Sequence, residues 1–391
     1  MMNKICSQDN LRNAFRKVAK NKGSSGIDGV TTQEFGSSLN VNLTTLAKEL
    51  LSGQYQPQSV KRVWIPKPGS TERRPLGIPT VRDRVVQAAV LHEIEPIFES
   101  CFADNSYGFR PDRGATGALR RVDTLLKDGY WHVVDADIKA YFDTIPHEAL
   151  LELVRRRVHD ERVIRLIRAF LEAGVMEDGA SLYLPEEGTP QGGVISPLLA
   201  NIYLDPLDHA MVRQGLAMIR YADDFVIPCH SRNEAGMALD MVMEWMAAAG
   251  LTLHPTKTKI VDVYQPGDNF EFLGYRFEED RRSPREKSVE KLKESVRAKT
   301  TRRRRGSLVE VIQDINQVLI GWFEYFRHST EAQVFQDLDV WVAGRLRNVM
   351  RWRFVSGRTR CQTLWPDARF NDQGLFSLGN AHDRMASRDW N

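Results

Sequence analysis

Apolar side chains recur at helical spacing over residues 81–99, where Val85, Val86, Ala89, Val90 and Ile94 form one stripe. Residues 1–60 also read as helical, interrupted by Gly23-Ser24-Ser25-Gly26 before Ile27-Asp28-Gly29-Val30. Between these stretches, Arg62-Val63-Trp64-Ile65-Pro66 predicts a short strand, Pro68-Gly69-Ser70 a turn, and residues 74–79 an extended segment. His132–Ile138 predicts a strand that alternates with acids at its end. Helices are expected at about 147–173 and 196–213. Met218–Ala222 and Phe225–Ile227 then flank Asp223-Asp224 as a β-hairpin with two carboxylates at its tip. An amphipathic helix over 233–250 ends at Gly250, and Phe270–Tyr275 is expected to close the sheet as one more strand. Beyond Pro284 the pattern turns helical to about residue 355, and residues 356–391 show little periodicity and are expected to be loosely ordered. Strands mixed with helices, then helices alone, predict an α+β domain over 1–280 and an all-α domain over 284–355, with a short tail at 356–391.

Composition narrows the class. The chain has 391 residues, 42% of them hydrophobic, enough to bury a large core in two or three domains. No run of eighteen apolar residues exists, so no membrane is expected as a partner. The first residues lack the apolar stretch of a secretory signal, and the four cysteines (Cys6, Cys101, Cys229, Cys361) stand far apart. That spacing fits a reducing cytoplasm and argues against a disulfide framework or a structural zinc. The net charge is only +3, but residues 281–391 hold 22 basic and 13 acidic side chains, whereas the remainder is acidic on balance. A basic C-terminal third suggests a surface for a polyanion; a solvated helix face is the plainer alternative.

The acidic body carries the candidate chemistry. Transfer of a nucleotide to a 3′ hydroxyl is mainly positioning and charge stabilisation, and two Mg2+ about 4 Å apart can clamp the attacking and leaving oxygens. Mg2+ takes oxygen ligands and keeps several waters, so a few carboxylates converging from strand ends suffice. Asp137 and the Asp223-Asp224 tip supply three. Taken singly, each has an ordinary reading: Asp-Asp as turn chemistry, Asp137 as a helix cap or a solvated residue.

Order and company decide between them. RRPLGIPTVRDRVVQ (73–87), Ser106-Tyr107-Gly108-Phe109-Arg110-Pro111, DADIKAYFDTIPH (135–147), GTPQGGVISPLLANIYLDPLD (188–208), Tyr221-Ala222-Asp223-Asp224, Leu253–Lys259 and Phe272-Leu273-Gly274-Tyr275 follow one another over residues 62–275. In this order they resemble the motifs of reverse transcriptases, and among these the proteins encoded by bacterial group II introns. Gly321–Phe326 and the segment around Leu338–Val342 resemble the helical thumb, or maturase, region of intron-encoded proteins. The HNH endonuclease found at the end of many such proteins has no Cys/His cluster to build it here, which resembles the endonuclease-lacking group.

The resemblance implies a right-hand polymerase with fingers and palm over 1–280 and a thumb over 284–355. It implies Asp137, Asp223 and Asp224 as metal ligands, joined by the backbone of Ile138, with two Mg2+ (Mn2+ able to substitute). Phe142, five positions after Asp137, corresponds to the residue beneath the incoming sugar, where a bulky ring excludes a 2′ hydroxyl; core packing is the alternative. Gln191 is expected near the nucleotide, and Gly192 and Gly193 are expected to let backbone approach nucleotide and template–primer. Asp143 belongs to the same pattern but is expected to point away and cap a helix. Lys67, Arg73 and Arg74 are candidates for the triphosphate. Lys257 is a candidate acid for the leaving pyrophosphate, or an ordinary surface lysine. Arg110 is a nucleic-acid candidate or a structural ion pair. Arg302, Arg303, Arg304 and Arg305 are candidates for RNA phosphates, whereas Trp322, Tyr325 and Phe326 have the spacing of packed core.

The partners implied are intron RNA, an RNA template with a DNA primer, deoxynucleoside triphosphates and target DNA, in the bacterial cytoplasm or nucleoid. A domesticated relative acting in phage defence, repair or CRISPR spacer acquisition is one alternative use. A splicing factor with a vestigial polymerase is another, against which the intact Asp137, Asp223, Asp224 and Gln191 weigh.

Overall fold

The computed structural model describes residues 1–66, 73–177, 181–302, 304–354 and 365–385. The chain divides into two compact units, Met1–Ile260 and Val261–Asn391.

The first unit opens with four helices: α1 (Met2–Ile5), α2 (Gln8–Lys20), α3 (Thr32–Ser37) and α4 (Leu39–Ser52). Two strands follow, β1 (Val60–Pro66) and β2 (Arg73–Ile78), then α5 (Val81–Glu99), α6 (Ala115–Lys127) and β3 (His132–Asp137). Next come α7 (Tyr141–Thr144), α8 (His147–Arg155), α9 (Glu161–Leu171), β4 (Val175–Glu177), β5 (Ser181–Tyr183) and α10 (Ser196–Arg213). The unit is completed by β6 (Ile219–Tyr221), β7 (Asp224–Cys229) and α11 (Arg232–Ala248), and β8 (Lys259–Asp262) begins at its end.

Helix α5 organises this unit. Thr80 caps it, its side chain accepting from the Asp83 amide at 3.1 Å. Val81, Val85, Val86, Ala88, Ala89, Val90 and Ile94 are all buried, so the helix is covered on more than one face and stands in the middle of the core. Its buried Asp83 is satisfied by Tyr55 Oη at 2.6 Å, Thr80 Oγ1 at 2.7 Å and the Gln58 amide at 3.1 Å. Burial is the largest influence on that carboxyl and pushes its pKa up, against the hydrogen bonds that lower it.

Two sheets flank this core. One has strand order β2-β1-β4-β5, with β1 and β2 antiparallel from Lys61 opposite Ile78 to Pro66 opposite Arg73. The other, in order β6-β7-β3-β8, carries the carboxylates.

The second unit contains a separate three-stranded sheet, β9 (Phe270–Phe272), β10 (Tyr275–Glu278) and β11 (Arg281–Pro284). The expectation that Phe270–Tyr275 closes the carboxylate-bearing sheet is therefore corrected. Leu273 and Gly274, both at positive φ, turn the chain sharply so that Phe272 pairs with Tyr275. Helices α12 (Glu286–Lys299), α13 (Leu308–Phe326) and α14 (Ala332–Phe354) pack around Ile315, Leu319, Phe323, Phe335 and Leu346.

Within the tail, residues 365–385 are ordered rather than loose. Helices α15 (Asp367–Asp372) and α16 (Leu378–Asp383) bury Phe370 and Leu378 in the same core. Asp339 of α14 accepts the Leu378 and Gly379 amides at 2.9 Å each and Ser377 Oγ at 2.8 Å, capping α16 from outside. Two helices of six residues are too short to show a hydrophobic period, which hides them in the sequence.

Candidate active site

Strand β3 ends at Asp137 and β7 begins at Asp224, and the register sets these two residues directly opposite each other. Tyr221 of β6 lies opposite Asp224 in turn, so Tyr221, Asp224 and Asp137 form one row across the sheet. Opposed residues project to the same face, and like charges placed so destabilise a sheet unless a cation lies between or beside them. Lys257 supplies one in this structure, its ammonium bonded to Asp137 Oδ2.

The main chain around Asp137 is held from both sides. The Ile138 amide donates to the Asp223 carbonyl at 3.3 Å, and the His254 amide to the Asp137 carbonyl at 2.8 Å. Between the paired strands Ala222 adopts φ +60°, turning the hairpin so that Asp223 sits at its tip. Burial is the main cause that raises the Asp223 pKa, and the negative charge of Asp137 pushes the same way. The backbone amide, Lys257 and Arg220 oppose them. The donor set is three carboxylates, hard oxygen ligands of the kind Mg2+ takes. Among the described residues, however, no three carboxylate, imidazole or thiol groups close into a cluster that would hold a metal ion.

Behind the hairpin is a buried charge that the sequence did not reveal. Arg220, 0% exposed, donates from Nε to Asp208 at 2.8 Å, from Nη1 to Asn201 Oδ1 at 3.0 Å and to the Ala222 carbonyl at 2.9 Å, and from Nη2 to Ser106 Oγ at 2.8 Å. A buried guanidinium is tolerated only when its donors are met, and these partners meet them. Asn201 also donates to the Gly108 carbonyl at 2.8 Å, tying α10 to the loop 105–110. That loop runs beside β6: the Arg220 amide donates to Asn105 at 2.9 Å, and the Tyr107 amide to Arg220 at 2.8 Å. At Gly108 a side-chain carbon would lie 2.4 Å from the Ala222 amide nitrogen, so only glycine fits against the hairpin backbone.

Four residues beyond Asp137, α7 begins with Tyr141 turned inward and Phe142 half-exposed. Tyr141 is buried with its hydroxyl donating to the Ala200 carbonyl at 2.5 Å. Phe142 lines a cavity of about 310 Å³ together with Arg62, Pro75, Gly77, Asp143 and Gln191. The loop 188–191 is joined to α7 by the Thr189 amide, which donates to the Phe142 carbonyl at 2.6 Å. It is joined to β2 by the Gly77 amide, which donates to the Gln191 carbonyl at 2.6 Å.

Several expectations change against this geometry. Asp143 lies within α7 and lines the cavity instead of pointing away as a cap; its Oδ2 accepts from Gln191 Nε2 at 3.4 Å. Gly192, exposed and at φ +114°, also packs against β2: a side chain would come within 2.4 Å of the Gly77 carbonyl. Gly193 is buried against Ser196 and Gln87, so it packs the start of α10 and has no surface to offer a template–primer.

Arg110 is not a nucleic-acid contact. It is 7% exposed, and its donors go to Glu99 at 2.7 and 3.0 Å and to the Ala103 and Ser106 carbonyls at 2.6 and 2.8 Å. Arg304 is bound to Asp314 of α13, and among the described residues of that run Arg302 and Arg305 are exposed. Strand alternation puts Arg73 on the same face as Pro75 and Gly77, which line the cavity, and Arg74 on the opposite one. Lys67 and Arg303 lie outside the described residues. Trp322, Tyr325 and Phe326 pack as core: Tyr325 Oη donates to Leu273 at 2.7 Å and Trp322 Nε1 to Ser288 at 3.2 Å. Arg62, on the cavity wall, and the Arg220–Asp208–Asn201 group were missed. The position of Arg220 immediately before Tyr221 was the one local signal available.

Residues 65–277 match the family model described as reverse transcriptase (RNA-dependent DNA polymerase), and residues 289–365 the group II intron maturase-specific domain. Protein YkfC of Escherichia coli is 38% identical over 308 residues, covering 68% of this chain and 79% of YkfC. The group II intron-encoded protein LtrA of Lactococcus lactis is 37% identical over 217 residues, covering 55% of this chain and 35% of LtrA. The chain thus matches most of the first relative's length and about a third of the second's. A solved telomerase from Candida albicans, in complex with a fragment of telomeric RNA, overlays with a TM-score of 0.48 at 12% identity, over 92% of this chain and 69% of that one. Among the described residues no helix is long and apolar enough to cross a membrane.

Proposed function

Because the chain belongs to the reverse transcriptase family, in the branch encoded by group II introns, we propose that it extends a DNA primer along an RNA template. The observation that carries this reading is the in-register pair Asp137 and Asp224, with Asp223 at the hairpin tip beside it. We assign fingers and palm to residues 1–280, the maturase-type thumb to 284–355 and the tail to 356–391.

By the family resemblance, Asp137, Asp223 and Asp224, with the Ile138 carbonyl, would hold two Mg2+, with Mn2+ the expected substitute, although the three carboxylates do not yet form a closed cluster in this structure. Bound there, the ions supply charge stabilisation to the attacking 3′ hydroxyl and the leaving oxygen. The protein's own part is positioning. The paired β3 and β7 fix the two opposed carboxylates, Phe142 underlies the sugar, and Gln191, held by Gly77, flanks it. Arg62 and Arg73 share the strand face that lines the cavity and suit a triphosphate. Lys257, whose ammonium stands against Asp137, would be the group that protonates the leaving pyrophosphate.

The basic second unit, with Arg302 and Arg305 exposed, suits RNA phosphate and supports a role in binding the parent intron RNA and promoting its splicing before copying it at a target DNA. The test is primer extension on an RNA template, run beside splicing of intron RNA at low Mg2+. Asp223→Ala should abolish extension and leave splicing intact; extension that survives it overturns the polymerase assignment.

A further inference from the structure

Phe109 is an aromatic residue in a backbone conformation that L residues avoid. Its φ is +59°, yet its ring is 50% exposed and buries too little surface to account for that conformation by packing alone. Both neighbours enforce it. Gly108 is pressed against the Ala222 backbone and its carbonyl is bound by Asn201, while Arg110 is locked by Glu99, Ala103 and Ser106. Held so, the ring meets two others. It stands edge-on to Phe142, centroids 6.4 Å apart and planes at 79°, and lies 6.3 Å from Tyr221.

Phe142 is half-buried and therefore needs a wall on its open side to keep one orientation. Tyr141 provides one contact at 5.6 Å, from the same helix. Phe142 also packs against the core, and among the described residues the Phe109 edge is a ring contact that reaches it from outside that helix, carried by a loop that is itself hydrogen-bonded to the aspartate hairpin.

We infer that Phe109 is a positioning residue of the sugar gate: it holds the Phe142 ring in place so that the ring cannot turn aside and admit a ribonucleoside triphosphate. Its substrate class is thus the incoming nucleotide, and its effect is on deoxyribose over ribose. The inference rests on the reading of Phe142 as the gate. It also gives the strained loop a purpose, since the strain places one exposed ring between the gate and the hairpin.

The test compares incorporation of dNTP and rNTP, as single-nucleotide kcat/KM ratios, for wild type, Phe142→Ala, Phe109→Ala and the double variant. Phe109→Gly is added because glycine is relaxed at this φ and covers a failure of the alanine variant to fold. Phe109→Ala and Phe109→Gly should lower discrimination about two- to tenfold, the range of one aromatic pair, by raising ribonucleotide incorporation. The double variant should lose no more than Phe142→Ala alone. If Phe142→Ala collapses discrimination and neither Phe109 variant moves it, the inference is overturned while the gate stands. If Phe142→Ala has no effect either, the gate reading itself falls. Equal loss of dNTP and rNTP incorporation in both Phe109 variants also overturns the inference, because it shows a general structural role.

Discussion

Asp137 and Asp224 face each other across β3 and β7 in direct register, two like charges at a site where a sheet would ordinarily place opposite ones. The arrangement costs stability in the absence of a cation, so the two properties should separate on mutation. Asp224→Asn should reduce primer extension on the order of a thousandfold or more. Its unfolding midpoint should change little, because the Lys257 ammonium already stands against Asp137 in the folded chain. A lowered midpoint together with preserved extension would contradict the assignment.

The Arg220–Asp208 pair makes the opposite prediction. Arg220→Met leaves the Asp208 charge buried without its partner, at a cost of about 3–5 kcal/mol in denaturant unfolding. The double variant Arg220→Met/Asp208→Leu should recover much of that loss, because both charges leave together. Recovery of stability without recovery of extension is the expected signature, as the Ala222 and Ser106 bonds that set the hairpin are not restored.

Gly108→Ala should cost about 1–3 kcal/mol, the scale of overpacking, because the new methyl meets main chain rather than a side chain that can move. Gly236→Ala, in α11 with open space around it, is the control and should be neutral or slightly stabilising. Equal behaviour of the two in thermal unfolding would argue against the close approach.

For the basic run, Arg302→Ala and Arg305→Ala should each lower the salt-dependence slope of RNA binding by about one. Arg304→Ala should do less to that slope and more to the unfolding midpoint, since its partner is Asp314. Filter binding over a range of salt concentrations checks the first, and melting curves the second.

Asp83 sets a pH dependence of stability. Its pKa is raised in the folded chain, chiefly by burial, so the folded state holds that proton more tightly than the unfolded state does. Its contribution is present below the ordinary carboxylate pKa and is lost as pH rises through the raised value. The stability advantage of wild type over Asp83→Asn should therefore shrink on going from roughly pH 4 toward neutrality, measured by urea unfolding. An advantage that widens over that span would reverse the sign.

How much of this was legible depends on whether the signal was local. Helices α5 and α10 were read at their observed bounds because each is a long, largely apolar run, of 19 and 18 residues. The hairpin at Asp223 was equally plain, since alternating apolar residues bracket two polar ones. The partner of Phe270–Phe272 was not, because a strand's pattern states which face is buried but not which neighbour it pairs with. Arg110 shows the same gap in a motif, where sequence marks the position as special and leaves open whether the side chain faces solvent or protein. Arg220 and Asp208 could be seen only as two separate charges until folding brought them together. Asp143 was misplaced by analogy with a helix cap, when α7 is too short to point it away from the cavity.

The Lys257–Asp137 contact joins residues 120 positions apart. On a ribosome, the aspartate is therefore made roughly ten seconds before the lysine that neutralises it, at typical rates of synthesis. During that interval the nascent chain has the beginnings of a nucleotide pocket but no complete charge arrangement at its floor. A product released early, anywhere short of residue 257, should be unable to extend a primer. Under the proposed function, premature termination would thus give fragments that lack the Lys257–Asp137 contact, and only longer chains would carry the complete charge arrangement.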